Sequence, residues 1–161
     1  MLCHARGLVL VSAAMLGWPH PAAAQPIAET VRAWGLLGTW ATNCRKPASA
    51  SNVHLSYVVG PGGVVAHERD LGDRRDRNEV LQVTVARDGS IELLVHFKDL
   101  AQVRSWVIAK ARDGRIRTVS NHLVNTQDYS IRNGKLTAGG KAVPWQSKCG
   151  ATARSGTRRA R

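Results

Sequence analysis

The sequence predicts an all-β protein, an antiparallel up-and-down barrel of about eight strands, each wound beside the next. Three observations predict it. Apolar and polar residues alternate over several short runs, most cleanly at Ile91, Leu93, Val95 and Phe97. Those runs are punctuated by Gly60-Pro61-Gly62-Gly63 and by Asp88-Gly89, Asp113-Gly114 and Asn133-Gly134, dipeptides that reverse a chain tightly. No long apolar-periodic helix lies between them to serve as a parallel crossover. A two-sheet sandwich satisfies the same pattern, and the barrel is preferred because it leaves no open edge.

The elements follow in order. Residues 1–24 carry Arg6, an apolar run over residues 7–17 and the small triplet Ala22-Ala23-Ala24, the layout of a secretory leader cut after Ala24. The run is too short for a bilayer span of roughly 20 residues, so no transmembrane segment is expected in the mature chain. Residues 25–150 then form one domain. Ile27, Val31 and Trp34 share a helical face, which predicts a short helix over residues 26–34 stopped by Gly35. The first strand is expected at residues 37–44, followed by a loop over residues 45–52.

Val53, Leu55, Tyr57 and Val59 alternate along the second strand, and residues 64–71 make the third. A mixed-charge connection follows over residues 72–78. The next strands are expected at residues 79–87, with Leu81, Val83 and Val85 on one side, then at 91–98, 103–112, 116–124, 129–132 and 135–138. Along 103–112, Trp106 and Ile108 face away from Val107 and Ala109. Residues 151–161 cannot bury a core and are expected to be a disordered basic tail.

The formal net charge is +12, but Arg154, Arg158, Arg159 and Arg161 crowd the tail and exaggerate the basicity of the folded part. Such a tail is attracted to anionic envelope components. Export argues against nucleic acid as a partner. Removing the leader takes Cys3 with it and leaves Cys44 and Cys149, an even pair for which an oxidising compartment favours a disulfide. The bond would close most of the domain, and the chain-entropy model assigns roughly 4 to 5 kcal/mol to so long a loop. It would join the first strand to the end of the fold, as a closed meander requires. A periplasmic or secreted location follows from both features.

Reaction chemistry is not indicated. Gly-x-Ser-x-Gly, phosphate-cradling glycine loops and His-Glu-x-x-His are all absent from the sequence. His54, His67, His96 and His122 lie on four different strands with no partner at ligand spacing, so they are read as partly exposed strand residues and no metal or other cofactor is expected. The stretch over residues 68–79 interleaves five carboxylates with four arginines and reads as a self-neutralising solvated loop. No enzyme is expected.

Gly38-Thr39-Trp40, placed after a short helix and at the head of a meander, resembles the Gly-x-Trp signature on the first strand of lipocalins and the wider calycin group. That resemblance implies that Gly38 bends the chain into the barrel floor, that Trp40 plugs it, and that Arg132 packs over the indole as a late-strand arginine. Thr126-Gln127-Asp128-Tyr129 is similar to the Thr-Asp-Tyr turn of the same group. The opening, export signal and small barrel also resemble periplasmic inhibitors of bacterial metalloproteases.

A small barrel is either filled or holds one small ligand. The candidate lining residues Val83, Val85, Leu93, Val95, Val107 and Ala109 are of modest size and leave room. The leading expectation is therefore binding of a small apolar or amphipathic molecule. The alternative is a protein-interaction module, an inhibitor or envelope-associated protein acting through residues 45–52 and 72–78.

Overall fold

The structure is a computed structural model describing residues 27–150. The proposed leader and basic tail lie outside the described residues. One helix, α1 (Ile27–Trp34), precedes ten strands: β1 (Gly38–Ala41), β2 (His54–Val59), β3 (Val65–Asp70), β4 (Arg75–Val85), β5 (Ile91–Phe97), β6 (Gln102–Lys110), β7 (Ile116–Leu123), β8 (Tyr129–Arg132), β9 (Lys135–Leu136) and β10 (Ser147–Cys149). All pair antiparallel in one sheet, each beside its sequence neighbour, except that β10 returns to the free side of β1. The sheet curls into a half-barrel. A further bridge between Ile116 and Gln146, with backbone bonds of 3.0 and 2.8 Å, fastens the approach to β10 onto β7.

Ten strands replace the expected eight or so: β9 falls within the strand expected at residues 135–138, whereas β10, only three residues long, is too short to display alternation and was not expected. β10 exists because β1 offers it a free edge: Thr39 pairs with Cys149, Trp40 with Lys148 and Ala41 with Ser147. Just beyond β1, Cys44 is joined to Cys149 with their Cα atoms 5.3 Å apart. The two ends of the domain are thus adjacent.

Both Asp-Gly hairpins use the same device. Gly89 and Gly114 each take φ +82°, a left-handed backbone that side-chain-bearing residues resist. The preceding aspartates accept bonds from the backbone N–H two residues on, at 2.9 Å for Asp88 and 3.1 Å for Asp113.

Inside, β5 behaves as its alternation demands: Ile91, Leu93, Val95 and Phe97 are all buried. β4 departs from expectation at a bulge. Val80 pairs with Val95 and Gln82 with Leu94, so Leu81 is an extra residue that bulges outward, 44% exposed. The inward face therefore switches from Val80 to Val83 across it, and Leu81 does not share a side with Val83 and Val85.

A second correction concerns the charged stretch. Residues 75–78 are strand, not loop, and only residues 71–74 form the turn. The charges pair directly across β3 and β4, Arg69 with Asp76, Asp70 with Arg75 and Glu68 with Arg77, and all three pairs are ion pairs. Opposite charges facing one another stabilise a ladder that composition alone assigns to solvent.

α1 buries Ala28 and Val31 and packs against β4. The indole of Trp34 donates to the Gly89 carbonyl at 2.8 Å, which places the helix at the end of the half-barrel that carries the hairpins at residues 60–64, 86–90 and 111–115. The loops at residues 42–53, 71–74, 98–101 and 124–128 gather at the opposite end, the mouth.

Candidate functional site at the mouth of the half-barrel

Strand register decides what faces inward at the mouth. Tyr57 sits opposite His67, His67 opposite Asn78, Leu93 opposite Trp106, Val95 opposite Arg104, and Trp106 opposite Asn121. These side chains share the inner face. His67, Phe97 and Trp106 form an aromatic floor: the Phe97 and Trp106 rings stack at 6.0 Å, and the His67 imidazole lies 4.9 Å from Trp106 and 6.0 Å from Phe97. The Trp106 indole donates to the Thr118 hydroxyl at 3.0 Å, which fixes the ring.

Above the floor is a cleft of about 320 Å³, lined by Arg69, Phe97, Leu100, Arg104, Trp106, Asn121, Asp128 and Ser130. Its two guanidinium groups are held differently. Arg69 Nε donates to both Asp76 oxygens, at 2.9 and 3.0 Å, while its guanidinium lies 4.7 Å from the Phe97 ring centre. Burial would raise the Asp76 carboxyl, but the bonds and charge of Arg69 and the amide of Asn78 outweigh it and hold that carboxyl below its ordinary value.

Arg104 is met mainly by neutral groups. Nε donates to Asn121 Oδ1 at 2.7 Å, Nη1 to Gln102 Oε1 at 3.3 Å, and Nη2 to the Asp128 carbonyl at 3.3 Å. Ser130 Oγ also donates to Asn121 Oδ1, at 2.7 Å, which fixes the amide orientation. Asn121 Nδ2 is buried with no partner among the described residues, as are both ring nitrogens of His67 and the Tyr57 hydroxyl.

None of the six residues expected to line the interior lines the cleft. Leu93 and Val95 are inward and wholly buried in the core, and Val83 packs against that core half-buried. Val85 shares their face by register but stands 46% exposed at the end of β4. Val107 and Ala109 lie on the outer face, since Trp106 and Ile108 on either side of Val107 point in. The interior is accordingly filled by large rings instead of being left roomy by small aliphatics.

The barrel-closing residues also need revision. Gly38 takes φ +116°, and a Cβ there would come within 2.9 Å of Lys148 Cε. Trp40 is buried, and its indole donates to the Leu36 carbonyl at 2.7 Å. The cation over it is Lys148, with Nζ 5.5 Å from the ring centre, not Arg132, whose guanidinium stands 5.0 Å from the Tyr129 ring. Short β10 brings Lys148 opposite Trp40, a neighbour that sequence order does not suggest.

His67 is fully buried, unlike the partly exposed residue expected. The signal that could have found it is its parity with Val65, which places both on the inner face of β3. Arg69, Phe97, Arg104 and Asn121 were missed because only register brings four strands to one spot. Among the described residues no three His, Cys, Asp or Glu side chains are grouped to hold a metal ion, and no helix is long and apolar enough to cross a membrane. Compared with models of known families, with curated proteins and with solved structures, the chain matches none.

Proposed function

We propose that the protein is an exported, calycin-like carrier that holds one small amphipathic molecule in the cleft at the mouth. The observation that carries this reading is the composition of the cleft: an apolar wall of Phe97, Leu100 and Trp106 beside two arginines and an amide. Ligand sites are built in this way, mostly apolar with a few placed polar groups. A volume of about 320 Å³ is at the low end of the usual range of roughly 300 to 1,000 Å³, which suits a small body over a large lipid. The cysteine pairing supports an oxidising, periplasmic or extracellular compartment.

Native mass spectrometry of protein isolated from its expressing cells tests the reading. The expected result is a co-purified mass that is lost in Leu100→Glu, which places a charge on the cleft rim at an exposed position. Bare protein in every preparation, with no uptake of added amphiphiles, would contradict it.

A protein-interaction module is the second reading, favoured by Val64 and Leu81. They are 46% and 44% exposed and share a surface depression with Ile27. Cross-linking from position 81 that captures one defined protein, together with an empty cleft, would favour it.

A further inference from the structure

We propose, resting on the carrier reading of the cleft, that the ligand bears a carboxylate, and that Asp128 covers Arg104 as a surrogate until that carboxylate displaces it. The argument begins with the contrast between the two arginines. Arg69 has its carboxylate in hand: Asp76 is directly opposite it, bonded through both oxygens and only 14% exposed. Arg104 does not. Its own side chain is 13% exposed, and the carboxylate within reach, Asp128 Oδ2, is 3.8 Å from Nη1 and 67% exposed. That distance is beyond a hydrogen bond.

Arg104 is therefore a largely buried cation whose orientation is fixed by two side-chain amides, a backbone carbonyl and the Ser130 hydroxyl, while its charge is met only loosely by the exposed Asp128. A buried charge without a close counter-charge is costly, and a carboxylate that reached Nη1 at bonding distance would relieve the cost. Asp128 can leave without disturbing the fork. The Arg104 bond to residue 128 runs to the backbone carbonyl, and the Leu123 N–H holds that same carbonyl in the turn at 3.0 Å.

Asn121 also lines the cleft; its Oδ1 is committed to Arg104 and Ser130, while its Nδ2 is buried without a partner among the described residues. An apolar body attached to the carboxylate would rest on Leu100, Phe97 and Trp106.

Isothermal titration of the wild-type protein and Asp128→Asn with octanoate, 1-octanol and octyltrimethylammonium tests this. Octanoate should bind about tenfold tighter than 1-octanol, and the octyl cation should bind weakest. Asp128→Asn should tighten octanoate about threefold relative to 1-octanol, because only the anion competes with the carboxylate removed. Equal affinity for octanoate and 1-octanol, or weaker octanoate binding in Asp128→Asn, overturns the inference and leaves the carrier reading standing. Failure of all three probes to bind removes the carrier reading and the inference with it.

Discussion

Tyr57 and His67 lie directly opposite one another on the inner faces of β2 and β3, their ring centres 5.1 Å apart, and neither finds a hydrogen-bond partner for its polar atoms among the described residues. Burial raises the Tyr57 phenol far above its ordinary value. Burial first, and the positive charge of Arg69 second, push the His67 imidazole down to about 3, against an opposing pull from Asp76. The ring is neutral in the folded protein at any ordinary pH.

That depression sets the acid sensitivity. Between about pH 6.5 and 3 the unfolded chain binds a proton at His67 that the folded chain refuses, so stability is complete above pH 6.5 and falls on acidification. Between pH 6.5 and 4 the loss from this residue should be roughly 3 kcal/mol. Urea denaturation at the two pH values checks it, and His67→Phe should flatten the difference. Asp76 adds a separate loss only as pH falls through its lowered value, below the ordinary 3.8. Equal acid sensitivity in wild type and His67→Phe would assign the effect elsewhere.

The bond between Cys44 and Cys149 closes a separation of 105 residues. Replacing both cysteines with serine should cost about 2 to 5 kcal/mol, chiefly by freeing the unfolded chain. Denaturation midpoints of the oxidised protein and the double variant measure this directly, and coincident midpoints would contradict it.

Trp40→Ala should cost about 3 to 5 kcal/mol, because the indole is buried and its N–H satisfies the Leu36 carbonyl. Arg132→Ala should cost less than about 0.5 kcal/mol, since this residue is exposed beside Tyr129. Equal losses would restore Arg132 to the role over the tryptophan.

At Gly72 the backbone takes φ +95°, and a Cβ would lie 2.6 Å from the Ala48 carbonyl oxygen. The turn over residues 71–74 therefore packs against the loop over residues 45–52 and cannot accept a side chain without moving it. Gly72→Ala should cost more than Gly89→Ala, where φ is +82° and the space is open. The second should lose about 1 kcal/mol and the first roughly 2 kcal/mol or more. Thermal melts of the two variants rank them.

The parts legible in the sequence were those with local signals. The alternation of β5 names its own buried face, and Asp88-Gly89 and Asp113-Gly114 name their turns. Leu81 was not legible, because a one-residue bulge reverses the face of everything after it and leaves no compositional mark. The cleft was less legible still. Arg69, Phe97, Arg104 and Asn121 come from four strands, and nothing local says that they meet. Val107 and Ala109 looked suitable for their small size, yet Trp106 between β5 and β7 takes the inward position. The ion pairs of β3 and β4 misled for a related reason: charge reads as solvent exposure until each residue is seen opposite its counter-charge.

The most direct test of the account is a two-dimensional NMR titration of the protein with octanoate. The predicted result is saturable shift changes at the Trp106 indole, the Asn121 side-chain amide and the Arg104 Nε, with the backbone amides of Val107 and Ala109 on the outer face moving far less. Shifts centred on the outer face, or none at saturating octanoate, would contradict the claim that the mouth of this half-barrel is a binding site.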